Sequence, residues 1–289
     1  MASPLGILSA LAHLQIVMAV SAVAFVQTAS LLLVGRGAST GWLLAALLGT
    51  LGIYLLDGVR SADREDSVSQ ARRATLCRRH RGLFSSLGLL ALVGGGICAV
   101  SSSSSPWVLV LLGLLGLAGL AHVLPIVPWR SGRVTTKNLG LIKPLVISLA
   151  WLIGGLLVSF ESDPAGPPPS LGGLIGFSLM SFPLLLLDSI WLDRRDMQAD
   201  ARFGQDTWAG RLDTGRYRLV TGILLMLPCL GCPWLPGGWV MIGWFWLGAI
   251  WLVLVPPQRL GSEAMQVCLA ALWRYTGLIG ALILVTTGR

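Results

Sequence analysis

The sequence is poor in charged residues, which make up 12% of its 289 positions, while hydrophobic residues make up 54%. An ordinary soluble domain carries about 25% charged residues, so this chain has too little charge to cover a water-facing surface. Polar tracts and periodic low-complexity segments are also missing, which excludes a disordered chain and a collagen-like repeat. No nucleotide-binding glycine fingerprint, haem motif or flavin signature is present. The composition predicts an all-α, polytopic membrane protein, taken as a single domain over residues 1–289.

The hydrophobic residues are grouped into stretches of the length that a helix needs to cross a bilayer, about 17 to 25 residues. About nine such stretches follow one another. The first has no basic residue before it and no small-residue cleavage site after it, so it is interpreted as a span and not as a signal peptide. The predicted spans cover residues 13–35, 40–58, 83–101, 106–128, 144–161, 171–192, 217–235, 238–256 and 267–287.

The basic residues are concentrated on one side of these spans. Of the 21 Lys and Arg, all but Arg36, Arg274 and Arg289 fall in or at the edge of the even-numbered loops. Basic loops stay on the cytoplasmic face of a membrane protein, so these loops and the N-terminus are predicted to be cytoplasmic. The formal net charge of +8 then reflects topology and contact with anionic lipid headgroups, and it does not indicate a nucleic-acid partner.

Eleven of the 13 acidic residues lie on that same side, and most of them form two clusters that each begin where a span ends. Charge close to the hydrocarbon region is costly, so an acidic cluster in this position indicates a functional site. An alternative stays open for the first cluster, whose Asp and Arg side chains could neutralise one another in a solvated loop. The first cluster contains Asp57, Asp63 and Asp66, and the second contains Asp188, Asp193, Asp196 and Asp200.

In the second cluster, Asp193, Asp196 and Asp200 stand at positions i, i+3 and i+7, which places three carboxylates on one face of a helix. Like charges in that arrangement repel one another, whereas a divalent cation would stabilise them. Mg²⁺ prefers hard oxygen ligands and typically uses one or two carboxylates together with phosphate oxygens. Arginine side chains nearby would bind phosphate in bidentate fashion. The pattern therefore predicts Mg²⁺ and a phosphorylated substrate at the membrane surface.

The residues of the second cluster resemble a signature of the UbiA superfamily of intramembrane prenyltransferases. The segment DRRDMQADARFGQDTWAGRL is similar to its motif DxxDxxxD followed by GxxT, with Gly204 and Thr207 in register. The stretch KNLGLIKPLVISLAW resembles the Lys-rich turn before the family's fifth helix, and His122 to Pro125 stands where the family often has Tyr-x-x-Pro. Asp63 follows Asp57 by six residues, which is the spacing found in one branch of the family, although Ile53 stands where that family has Asn.

This resemblance implies a nine-helix bundle around a lipid-facing cavity, capped by the two acidic loops. It implies transfer of a prenyl group from an allylic prenyl diphosphate to a small hydrophobic or aromatic acceptor, with Mg²⁺ as the cofactor. The implied catalytic carboxylates are Asp57, Asp63, Asp196 and Asp200, with Asp66 and Asp193 as further metal ligands. The implied phosphate contacts are Arg130, Arg133, Lys137 and Lys143. Tyr54 and Trp151, with Trp191 behind them, are candidates for shielding the allylic cation, although tryptophan also lies at membrane interfaces for unrelated reasons. Arg274 lies inside span 9, so it either points into the cavity as a further substrate contact or extends its charge to the membrane surface.

Ile53 motivates a second hypothesis, because isoleucine can neither position a substrate by hydrogen bonding nor hold a metal-bound water. In that interpretation the chain is a catalytically inactive relative that acts as a membrane scaffold or binds lipid.

Two other classes of protein fit the sequence less well. A CDP-alcohol phosphotransferase would have Gly and not Met197 after Asp196, and a transporter would carry more charge inside its spans than Arg274.

Overall fold

The fold is a bundle of helices, seen in a computed structural model. The structure describes residues 15–64, 66–125, 127–129, 132–135, 140, 142–204, 207–260 and 262–288. For residues 127–129 and 132–134 it describes the backbone alone.

Twelve α-helices are present in this part of the chain, together with the two 3₁₀ segments Leu227–Trp234 and Pro257–Arg259 and a short antiparallel ribbon of two strands. The strands are β1 (Val127–Trp129) and β2 (Gly132–Val134). The helices are α1 (Ile16–Val34), α2 (Thr40–Ser61), α3 (Asp66–Ser69), α4 (Ala71–Arg79), α5 (Arg81–Ser102), α6 (Pro106–Val123), α7 (Lys143–Glu161), α8 (Leu171–Arg202), α9 (Trp208–Arg211), α10 (Thr214–Met226), α11 (Gly238–Leu254) and α12 (Glu263–Thr287).

Within the described residues, eight helical segments are long and apolar enough to cross a membrane. They are α1, α2, α5, α6, α7, α8, α12 and the continuous segment Thr214–Trp234, which joins α10 to the first 3₁₀ segment. Helix α11 is also apolar but has 17 residues, which is shorter than the other candidates. The prediction of a helical, multi-pass integral membrane protein is confirmed by these eight segments.

Two predicted boundaries lie five or more residues from the observed ones. The span predicted to reach residue 128 ends at Val123, because Pro125 and Pro128 lack the amide hydrogen that a continuing helix needs. The span predicted to end at residue 192 continues to Arg202, so that α8 has 32 residues. Its polar extension carries the three aspartates of the second cluster on the helix that their spacing predicts.

Helix α8 lies at the centre of the bundle, and α5 and α6 lie at its edge. The core of the molecule is built on α8, whose Met180, Leu184 and Trp191 are fully buried. At the edge, Leu90 and Val110 leave more than 60% of their surface exposed. Apolar side chains in that position are typical of a surface that contacts lipid.

Glycines bring several pairs of helices close together. Helices α11 and α12 pack at Gly248, where an added Cβ would lie 2.6 Å from the backbone nitrogen of Trp273. Helices α2 and α5 pack at Gly52, where an added Cβ would lie 2.8 Å from the carbonyl oxygen of Gly88. Small residues at such interfaces are the usual means by which membrane helices make close van der Waals contact.

The tight contact at Gly248 predicts that Gly248→Ala will destabilise the bundle by about 1–3 kcal/mol, because the new methyl group meets backbone that cannot rotate away. The matched control is Gly243→Ala on the same helix, where an added Cβ meets nothing within 4 Å. The control is expected to be neutral or slightly stabilising, since alanine is the better helix former. Thermal unfolding in detergent measures both. Equal stability of the two variants would contradict the packing at this interface.

Candidate functional site

The structure brings the two acidic clusters to one cavity of about 100 Å³ at the charged end of the bundle. The aspartates of the first cluster come from the end of α2 and from α3, and those of the second cluster come from α8. Ser69 in α3 donates a hydrogen bond to Asp196 in α8, which joins the two regions directly. The aspartates that line the cavity are Asp57, Asp66, Asp188, Asp193, Asp196 and Asp200, and the basic residues that line it are Arg73, Lys143, Arg195 and Arg274.

Arg73 organises the first cluster. It lies on α4 with its side chain almost fully buried, 3.2 Å from Asp66 and 3.6 Å from Asp57, and it donates to the backbone oxygen of Tyr54 at 3.1 Å. Burial by itself would lower the pKa of Arg73, but the carboxylates of Asp66 and Asp57 outweigh burial and raise it. Gly58 leaves room for this side chain, since an added Cβ would lie 2.7 Å from the Nη2 atom of Arg73.

Asp63 does not reach the cavity. Its side chain is 53% exposed and pairs with Arg81. The physical reason is the end of α2 at Ser61, after which a turn points Asp63 outward and α3 brings Asp66 inward. Ser61 donates to Asp66 at 2.7 Å and fixes that carboxylate. The roles predicted for Asp63 and Asp66 as metal ligands stay predictions, but of the two only Asp66 lines the cavity in this structure.

The second cluster is bound to basic side chains at its polar end. The Nζ atom of Lys143, at the start of α7, lies 2.6 Å from Oδ1 of Asp193. Arg195 donates to both carboxylate oxygens of Asp196, at 2.9 and 2.7 Å. The second oxygen of Asp193, Oδ2, is buried and has no hydrogen-bond partner among the described residues. A buried carboxylate oxygen in that state is able to accept a further ligand.

A third ion pair lies deeper in the bundle. Arg274 of α12 pairs with Asp188 of α8, and both side chains are at most 5% exposed. The guanidinium carbon lies 4.3 Å from the ring centre of Trp151 and 4.8 Å from that of Trp273, whose indole nitrogen donates to Asp188 at 3.1 Å. Arg274 therefore faces the cavity and does not extend to the membrane surface. Its Nε atom has no hydrogen-bond partner among the described residues.

A large apolar chamber of about 570 Å³ adjoins the charged cavity. It is lined by α1, α2, α5, α6 and α7. Ile53 stands in its wall, where the family signature would have an amide. Trp191, in contrast, lies in the hydrophobic core and donates to the backbone oxygen of Val255, so it does not face either space. The residues shared by the two walls are Tyr54, Asp57, His122, Ile147 and Trp151.

Three predicted phosphate contacts are not placed by the structure. Arg130 and Lys137 lie outside the described residues, and Arg133 is described only by its backbone in β2.

Two other motif residues have a local structural role. Gly204 ends α8 in the left-handed region, with φ at 68°, and the Thr207 hydroxyl accepts from the backbone nitrogen of Gly210 to cap α9.

Arg73 and Arg195 were not among the residues predicted from the sequence. Both belong to runs of arginine that are typical of ordinary cytoplasmic loops, so composition could not separate them from their neighbours. Their spacing gave no signal either, because Arg73 and Asp66 lie on two different helices, α4 and α3, and meet only where the chain bends at Gln70.

The carboxylates of the cavity are suited to a divalent ion that shares its shell with water and phosphate. Within the described part of the chain, no three carboxylates, imidazoles or thiols stand close enough together to hold a metal between them. Mg²⁺ does not require such a group, since it commonly binds one or two carboxylates and completes its shell with water and phosphate. The aspartates of the cavity and the buried Oδ2 atom of Asp193 are donors of the required kind.

Comparisons with known proteins add no assignment. No protein-family model matches the chain, and no curated protein or solved structure matches it at a significant level. The resemblance to the UbiA superfamily therefore stays a prediction from the motifs.

The Arg274–Asp188 pair makes a stability prediction. Arg274→Met leaves the Asp188 carboxylate without its buried partner and should cost about 3–5 kcal/mol of folding free energy. The double variant Asp188→Leu with Arg274→Met removes both charges and is expected to recover most of that loss. Unfolding in detergent, followed by circular dichroism, measures the four members of the cycle. Additive losses would show that the two side chains do not depend on each other.

Proposed function

We propose that this protein transfers a prenyl group from an allylic prenyl diphosphate to a small hydrophobic or aromatic acceptor in the membrane, with Mg²⁺ as the cofactor. The observation that carries the proposal is the common wall between the charged cavity and the apolar chamber. A ligand that fills both must have a compact charged head and a long apolar tail. A prenyl diphosphate has that form.

The charges of the cavity explain the need for a cation. Its six aspartates and four basic side chains leave a formal charge of −2 when the aspartates are ionised and His122 is neutral. A diphosphate would be repelled by that surplus. Mg²⁺ would supply the missing positive charge and stabilise the leaving diphosphate electrostatically. Each Mg²⁺ would be held by one or two carboxylates, with Asp57, Asp66, Asp193, Asp196 and Asp200 as the candidates, and by phosphate and water oxygens.

The basic residues of the cavity provide the rest of the headgroup site. Arg73, Lys143 and Arg195 each contact an aspartate and line the cavity, where their cationic groups would lie close to phosphate oxygens. They would bind the diphosphate as the bond between carbon 1 of the prenyl chain and the bridging oxygen breaks. The electron pair of that bond leaves with the diphosphate, which is then stabilised by these cations.

Trp151 and Tyr54 would lie beside the allylic carbon of the donor. Both line the charged cavity and the apolar chamber, so they stand where the head and tail of the ligand meet. The faces of aromatic rings can stabilise a carbocation, as Trp151 already does for the guanidinium of Arg274. An electron-rich carbon or oxygen of the acceptor would then form the new bond and release a proton.

A non-catalytic function is the second candidate, and Ile53 is the observation that favours it. Its side chain packs toward Gly119 in the wall of the apolar chamber and offers no polar atom to the cavity. The same two spaces could hold an anionic lipid without any reaction. Such a protein would bind prenyl diphosphate or lipid and release no diphosphate.

The catalytic proposal predicts Mg²⁺-dependent release of diphosphate from labelled allylic prenyl diphosphates, tested with a panel of aromatic and quinoid acceptors. Asp196→Asn and Asp193→Asn should each reduce product formation at least about 100-fold, because they remove charge from the cavity. Asp163→Asn is the matched control, since Asp163 pairs with Arg36 in a loop that takes no part in the cavity. Binding without release in folded protein would favour the non-catalytic candidate, and no binding would contradict both.

The geometry of the first cluster makes a separate prediction. Asp66→Asn should reduce activity at least about 10-fold more than Asp63→Asn does, because Asp66 faces the cavity and Asp63 is exposed. Steady-state rates of the two purified variants at saturating Mg²⁺ test this difference. A greater loss for Asp63→Asn would show that the loop between α2 and α3 rearranges in the active protein.

The proposal places the charged cavity at the cytoplasmic surface, following the distribution of basic residues. Single cysteines at Val68 and Ala165 test the orientation, because both positions are exposed and lie at opposite ends of the bundle. The five native cysteines would first be replaced by alanine. In intact cells an impermeant maleimide should label Ala165→Cys and leave Val68→Cys unlabelled until the membrane is opened. The reverse labelling would contradict the proposed orientation.

A further inference from the structure

The apolar chamber is long, and it follows one face of α2 from the charged end of the helix almost to the other. Along α2 it runs from Asp57 to Trp42, which at about 1.5 Å per residue is a distance of about 22 Å. On α6 the chamber runs from His122 to Leu109, a similar distance. The chamber thus extends through most of the bundle beside the charged cavity.

At the end away from the charged cavity, the chamber meets a compact group of buried side chains. Trp42 is 1% exposed and packs in a cluster with Val108, Leu157 and Val158, which are also buried. The indole nitrogen of Trp42 has no hydrogen-bond partner among the described residues. A buried N–H group without a hydrogen-bond partner is unfavourable, and a π-bond of a ligand could contact it weakly.

We propose that this chamber limits the length of the prenyl tail, with Trp42 as its floor. The inference rests on the proposed function and specifies the chain length of the prenyl diphosphate that the protein would use. An extended chain advances about 3.5 Å for every three bonds, so an isoprene unit of four bonds advances about 4.5 Å. The 22 Å between Asp57 and Trp42 then corresponds to about four to five isoprene units.

Selection in this chamber works by exclusion. The tail of the donor is already dissolved in lipid, which is as apolar as the chamber, so each added unit gains little from burial. A tail that is too long must bend or leave part of itself outside, and its diphosphate is then drawn away from the aspartates. Donors up to the limit are therefore expected to react at similar rates, and longer donors are expected to react more slowly.

Two glycines about halfway along the chamber allow the proposed limit on tail length to be tested. Gly49 of α2 and Gly154 of α7 line the chamber, and a Cβ added at either one meets nothing within 4 Å. Gly49 stands eight residues from Asp57, or about 12 Å along the helix. A leucine there would project into free space and block the chamber between the second and third isoprene unit. Leucine is also the better helix former, so the variants are expected to fold.

The experiment compares kcat/KM for prenyl diphosphates of two to eight isoprene units, with direct binding of each donor in the presence of Mg²⁺. The native protein should use donors of up to four or five units and show a loss of at least about 10-fold beyond that. Gly49→Leu and Gly154→Leu should lower the limit to about two units and keep the rate for the shortest donor. Trp42→Ala should raise the limit.

Gly243→Leu is the matched control, because Gly243 lies on α11, does not line the chamber and has free space for a side chain. It should keep the native donor profile. Equal use of all donor lengths, or a Trp42→Ala profile identical to the native one, would overturn the length limit while the prenyltransferase proposal stands. Failure of every donor to bind would contradict the proposed function itself.

Discussion

The pairing of buried charges along α8 is the constraint on which this structure depends. Moving a carboxylate into an apolar bundle is costly, and the cost is offset only when a partner of opposite charge and further hydrogen bonds are provided. Helix α8 brings Asp188, Asp193 and Asp196 into the bundle, and each of them has a basic partner within direct contact. The partners Lys143 and Arg274 come from α7 and α12, so the ion pairs also bind these helices to α8.

The same constraint shapes the first cluster and joins it to the second. Arg73 lies on the short helix α4, outside the spans, and its contacts with Asp57 and Asp66 draw the loop after α2 over the end of the bundle. The Ser69 hydroxyl then bonds to Asp196 and closes the cavity between the two clusters. Polar contacts of this kind are worth most where water is scarce, because unpaired groups there have no alternative partner. The resulting cavity keeps a surplus of negative charge beside an apolar chamber.

The two spaces have opposite requirements, and different residues meet them. The charged cavity needs long polar side chains that reach across between helices. The apolar chamber needs the absence of side chains, which glycines such as Gly49 and Gly154 provide while helix contacts elsewhere hold the walls apart. Trp151 and Tyr54 stand at the boundary between the spaces. An amphiphilic ligand is the kind of molecule that such a boundary orients.

The amino-acid sequence by itself determined the helical membrane bundle, because hydrophobic stretches of membrane length leave few alternatives to a helix. It also placed Asp193, Asp196 and Asp200 on one helix, since their spacing is a local property. The tertiary structure alone decided that Asp66 faces the cavity and Asp63 does not, since this depends on where α2 ends and how the chain turns. It alone selected Arg73 and Arg195 from 21 basic residues, and it paired Arg274, which the sequence had already indicated, with Asp188. Which charges meet across helices is set by packing, and packing joins residues that are far apart in the chain.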